Sequence, residues 1–83
     1  MISEQSLREA LSEEMKALQS PISPDQITES TRFKEDLDLD SLDMMEIMLG
    51  LEDRLAIKPI DESHFKECKT LGDALKLINN HGQ

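Results

Sequence analysis

Four aspartates, Asp36, Asp38, Asp40 and Asp43, crowd around one hydroxyl, Ser41, in the stretch EDLDLDSLDMMEIM that runs from Glu35 to Met48. The alternation Asp36-x-Asp38-x-Asp40 imitates the opening of an EF-hand loop, in which oxygen ligands at the first, third and fifth positions surround a calcium ion. The rest of that loop is missing: its sixth position is Ser41 rather than a turn glycine, and its twelfth is Ile47 rather than a bidentate glutamate. No metal site is expected. A nucleophilic serine needs a base to take its proton. The two histidines are His64, in the region of a short third helix, and His81, in the C-terminal tail, and nothing resembling a nucleophile elbow surrounds Ser41. Cys68 reads as a small, partly packed side chain rather than a nucleophile. No catalytic residue is expected, and the chain is not read as an enzyme.

Ser41 is well placed to be a helix N-cap, a role worth about 1 kcal/mol. Asp40 is an equally good cap. With Asp43 at the third helical position, a cap at Asp40 leaves Ser41 in the first turn with its hydroxyl unclaimed. A spare hydroxyl there suits attachment of a phosphodiester, because backbone N–H groups point outward and the helix dipole favours negative charge by about 0.3–1 kcal/mol. The aspartates oppose that attraction, so anion stabilisation does not by itself account for them. On these residues alone, the cap and the attachment point both stand.

The elements that present the serine follow from apolar period. Leu7, Leu11, Met15 and Leu18 share one face of a first helix, with Ser6 and Glu9 spaced as a capping box near its start. The connection QSPISPDQITESTRF has two prolines and no sustained period, with one helical turn begun by Ser23 and Pro24. So long a loop needs a reason in so small a bundle. A second helix is expected from about Ser41 to about Ala56, stopped by the Ile57-Lys58-Pro59-Ile60 stretch because proline disfavours helical geometry in the residue before it. Asp61 caps a short third helix, and Thr70 with Asp73 caps a last one whose apolar face is Leu71, Ala74, Leu75 and Ile78. With β-branched alternation absent and only Phe33 and Phe65 aromatic, the fold class is all-α, a small four-helix bundle forming a single domain over residues 1–83.

The formal net charge is −9, from 18 acidic and 9 basic residues. The bases form no stripe able to neutralise a phosphate backbone, so nucleic acid is excluded as a partner. Proteins presenting Lys and Arg are favoured instead, with charge acting more on encounter rate than on final affinity. One cysteine rules out an internal disulfide framework and any CxxC arrangement. No apolar run is long enough to span a bilayer, and MISEQSLREAL carries charges where a signal peptide needs its apolar stretch. A cytoplasmic monomer with no membrane insertion is expected.

Phe33-x-x-Asp36-Leu37, then Asp40-Ser41-Leu42-Asp43-x-x-Glu46, then Leu51-Glu52 together resemble the acyl carrier proteins. Helix order, the long first loop and the acidic charge extend the similarity over nearly the whole chain. A bare Asp-Ser-Leu is common by chance, but the same tripeptide opening the second helix of a small acidic helical domain is a specific signal. The resemblance implies an acyl-carrier-type bundle in which Ser41 receives phosphopantetheine from a magnesium-dependent phosphopantetheinyl transferase. The arm's thiol would then carry acyl groups as thioesters, and tethering would raise their concentration at the active sites of acyl-transferring, condensing or other carrier-dependent enzymes. It also implies that Asp36 and Asp40 help position the serine or the transferase's metal, with Leu42 beside them, while Asp38 and Asp43 are solvated charge.

Along the second helix, Asp43, Glu46, Gly50, Asp53 and Arg54 form a polar stripe opposite Met44, Ile47, Met48, Leu51 and Leu55. Leu42, Met45 and Leu49 fall between, so the apolar arc exceeds the stripe of roughly 100° that core burial needs. The arc is either a broader core or an exposed docking ridge, flanked by Asp43, Glu46 and Asp53, on which methionine adapts to several partners. In the family resembled, this helix is the recognition surface, which favours the ridge. Met15, Met44, Met45 and Met48 give a soft core that an acyl chain could enter, or simply a plain small one. Asp38 stands where the family usually has glycine, Gly50 interrupts the helix at a cost of about 1 kcal/mol relative to alanine, and Lys58-Pro59-Ile60-Asp61 shifts the usual Ile-Pro order. These departures bear on pathway, fatty-acid or specialised lipid or polyketide synthesis, rather than on attachment. An aminoacyl carrier and an unmodified acidic helical adaptor are the competing functions.

Overall fold

The structure is a computed structural model, described over residues 1–80; His81 lies outside the described residues. Four α-helices follow one another: α1 (Glu4–Ala17), α2 (Ser41–Leu55), α3 (Glu62–Glu67) and α4 (Leu71–Asn80), with a single 3₁₀ turn at Pro24–Gln26 in the long α1–α2 connection. Ser23 and Gln26 cap that turn reciprocally, as the Ser-Pro pair predicted. α1 and α2 form the main helix–helix contact, and α3 and α4 close the remaining side.

The connection is long because it supplies core. Ile27, Phe33, Leu37 and Leu39 are all buried among Leu7, Leu11 and Met15 of α1, Met44, Ile47 and Leu51 of α2, Phe65 of α3 and Leu71 of α4. The two aromatic rings meet there, Phe33 and Phe65 lying 6.1 Å apart between centroids. Backbone bonds tie the loop to the start of α4: Phe33 N–H donates to Lys69 C=O at 3.0 Å, Leu71 N–H to Thr31 C=O at 3.0 Å, and Gly72 N–H to Glu29 C=O at 3.0 Å. A Cβ on Gly72 would lie 3.3 Å from the Glu29 carbonyl oxygen, so glycine allows this close approach. The chain ends are joined as well, with Ile2 N–H donating to Asn79 Oδ1 at 2.7 Å and Asn79 Nδ2 donating to Ile2 C=O at 3.0 Å.

One helix start differs from expectation, and one helix stop falls where expected for a different reason. The cap of α1 is Ser3 rather than Ser6: Ser3 Oγ accepts from Ser6 N–H at 3.1 Å, so the helix starts earlier and Ser6 lies inside its first turn. α2 stops at Ala56, before the proline acts. Ala56 adopts the left-handed conformation (φ 52°, ψ 47°) and Ile57 N–H folds back to Glu52 C=O at 3.2 Å. Pro59 therefore constrains Lys58, which is already outside the helix. Asp61 does cap α3, accepting from Ser63 and His64 N–H. Thr70 and Asp73 cap α4 reciprocally, at 3.2 Å each way.

Candidate functional site

Leu37 and Leu39 turn into the core, which leaves Asp36, Asp38 and Asp40 on the solvent side of an inward–outward alternation leading into α2. The acids are thus the exposed half of a segment whose other half is anchored by burial. Asp38 has φ 55°, a conformation that aspartate tolerates and glycine adopts without penalty. Asp36 is held by Arg32, whose backbone N–H donates to Oδ2 at 2.8 Å and whose Nη2 donates to Oδ1 at 3.1 Å. These Arg32 bonds hold the Asp36 carboxyl below the usual carboxylate range and raise the guanidinium in return. The i, i+4 spacing of Arg32 and Asp36 was the readable signal for this lock.

At the helix start, Asp40 is the N-cap. Its Oδ1 accepts from Asp43 N–H at 2.8 Å, and Asp43 Oδ2 accepts from Asp40 N–H at 3.2 Å. Asp40 rather than Ser41 is therefore the cap. Ser41 is the first helical residue, exposed, and its hydroxyl makes no hydrogen bond among the described residues. Asp43, read as solvated charge, completes the capping box and is half-buried. Asp36, Asp40, Ser41 and Leu42 therefore share one exposed loop-to-helix junction.

Below Ser41 the exposed side of α2 carries Leu42 at 62% and Leu49 at 55% exposure, with Met45 half-buried between them and Glu46 and Asp53 exposed alongside. Met44, Ile47, Met48 and Leu51 are buried on the other side. The wide apolar arc is thus divided between core and surface. On the polar stripe, Gly50 makes room for a neighbour: the Glu14 carboxylate of α1 occupies the space of the missing Cβ and pairs there with Arg54. Sequence reading missed Glu52 as an anchor, since its Oε2 accepts from Ile60 N–H, eight residues on, at 2.6 Å. Cys68 is half-buried, its thiol pushed up to about 11 by burial first and then by Asp73 and Glu67. It is protonated at neutral pH and a poor nucleophile.

The phosphopantetheine attachment site family matches residues 5–78. An acyl carrier protein of Lactobacillus acidophilus is 44% identical over 61 residues, 72% of this chain and 74% of that one. One from Sulfurovum sp. is 41% identical over 59 residues, covering 71% and 77%. One from Chlamydia muridarum is 38% identical over 72 residues, covering 83% and 92%. This chain belongs to the acyl carrier proteins. It is accordingly a phosphopantetheine-carrying protein and a non-catalytic carrier, and membership implies dealings with a phosphopantetheinyl transferase and with enzymes of fatty-acid synthesis. The junction fits such a group: a free hydroxyl stands at a helix start whose capping is already complete. No helix among the described residues is long and apolar enough to cross a membrane.

Proposed function

We propose that Ser41 is the residue that bears the phosphopantetheine, and that the chain is a single-domain, monomeric, cytoplasmic carrier serving fatty-acid synthesis or a dedicated lipid or polyketide pathway. The observation supporting this most is the division of labour at the start of α2: Asp40 and Asp43 satisfy each other's backbone, so the exposed Ser41 hydroxyl has no structural duty to abandon when modified. When bound, phosphopantetheine supplies a thiol at the end of a flexible arm, where cargo is held.

The chain's own residues present and steer. Asp40 fixes the helix start, and Asp36, locked by Arg32, stiffens the approach to it, so the modifying enzyme meets a preformed surface. Asp36 and Asp40, both exposed at the approach to the serine, are also the carboxylates that would face the transferase's magnesium. Leu42, Met45 and Leu49 form the apolar part of the partner contact, while Asp43, Glu46 and Asp53 flank it and draw basic patches.

Intact mass after co-expression with a phosphopantetheinyl transferase tests the assignment. Wild type should gain the mass of the arm and Ser41→Ala should not, with helical content unchanged. Modification retained in Ser41→Ala would defeat it. An unmodified wild type, under conditions that load a control carrier, would favour an acidic adaptor. Mass analysis of the cargo then separates acyl from aminoacyl carriage.

A further inference from the structure

α2 carries four acidic residues, Asp43, Glu46, Glu52 and Asp53, and a single basic one, Arg54. Arg54 directly follows Asp53, so a guanidinium free to swing would offset the acids that draw basic patches. The structure holds it against α1 instead: Arg54 Nε donates to Glu14 Oε2. The Glu14 side chain is 13% exposed and that of Arg54 41%, and the carboxylate fills the space that a Cβ on Gly50 would take. A glycine, a mostly buried acid and the helix's one base thus fit together across two helices.

Stability does not account for this arrangement. Glycine inside a helix costs about as much as a partly exposed ion pair returns, and the carboxylate also loses most of its water. What the arrangement changes is the charge that α2 presents. Paired with Glu14, Arg54 adds no net charge at its place, and the field along the helix is left to the acids. We infer that Glu14 is a positioning residue for partner recognition: it neutralises Arg54 and holds it against α1, so that a basic docking patch meets an undivided acidic face on α2. Gly50 serves the same end by letting the carboxylate come in against the α2 backbone. The inference rests on the proposal that α2 receives partners, and adds a residue of another helix that sets the charge they meet. Charges at such a rim act on encounter rate and salt dependence more than on the complex once formed.

The test is the rate at which a phosphopantetheinyl transferase loads the whole unmodified protein, measured against carrier concentration at low and at moderate salt. Glu14→Gln keeps the side chain's size beside Gly50 and removes its charge. It should lower kcat/KM about threefold at low salt, through KM with kcat unchanged, and the deficit should shrink as salt is added. Glu14→Gln/Arg54→Gln has the wild-type net charge and should recover the wild-type value although it lacks the ion pair, whereas a loss caused by a weakened bundle would persist. Asp25→Asn makes the same change of net charge at the exposed 3₁₀ turn and should load like wild type. Equal kcat/KM in wild type and Glu14→Gln would overturn the inference, as would a deficit that the double variant retains or that salt leaves untouched. A wild type that takes no arm would defeat the proposed function and this inference with it; one that loads no faster than Glu14→Gln defeats the inference alone.

Discussion

Two sides of α2 have similar apolar residues and opposite surroundings. Met44, Ile47, Met48 and Leu51 lie between 0% and 5% exposed against α1, α3 and the long loop, whereas Leu42 and Leu49 stand more than half exposed. Burial accounts for the first set. The second gains nothing from the bundle and sits next to an unclaimed serine hydroxyl, between acids that face the same solvent. Apolar character thus stands in two different settings on one helix, internal packing and, in the function proposed above, contact with another protein, and only the neighbours distinguish them.

The comparison breaks most plainly on truncation. Leu51→Ala should cost about 2–5 kcal/mol in urea unfolding, and Leu49→Ala should stay within about 0.5 kcal/mol; similar losses at both sites would mean that the exposed side is also core. Glu52→Ala probes the far end of α2. It removes the acceptor for Ile60 N–H and should cost about 1–2 kcal/mol, against a negligible change for the exposed Asp53→Ala. At the left-handed Ala56 cap, Ala56→Gly should raise stability by about 1 kcal/mol, and Asp38→Gly should give a smaller gain because aspartate tolerates that conformation better.

Charge sharpens the comparison further. Asp36, Asp61 and Asp73 all sit below their ordinary value of 3.8, through side-chain bonds from Arg32 and Ser63 and a backbone bond from Lys69 respectively. Each folded pKa is below the unfolded one, so stability from these groups is complete above about pH 4 and is lost as pH falls through the folded values. Asp36→Asn should flatten that acid loss; unfolding midpoints measured across pH decide. Gly50→Ala is the smallest effect. Helix propensity gains about 1 kcal/mol, and displacing the Glu14 carboxylate from its pairing with Arg54 returns at most about 1 kcal/mol. The net should lie near zero, and Glu14→Ala/Gly50→Ala should be more stable than Glu14→Ala alone.

Much of this was readable locally. Asp61, the Thr70–Asp73 pair, the Ser23-Pro24 turn and the Asp40–Asp43 alternative all proved to be caps, because capping depends on residues within one turn of each other. The misplaced cap came where equivalent local signals competed. Ser3 and Ser6 both suit a cap, and the chain used the earlier one. The second helix ends near Ala56 as expected, but through a left-handed conformation that the alanine side chain gives no reason to expect, rather than through Pro59.

By itself the sequence determined four helices, their order, and a serine at the head of the second, since period, caps and one motif are short-range properties. The tertiary structure decided which half of the α2 arc is buried, why Gly50 is tolerated beside Glu14, and that Arg54 is held against α1. Those outcomes depend on residues from other elements arriving at the same place, through loop-to-helix backbone pairing and core packing that connect positions far apart in the chain.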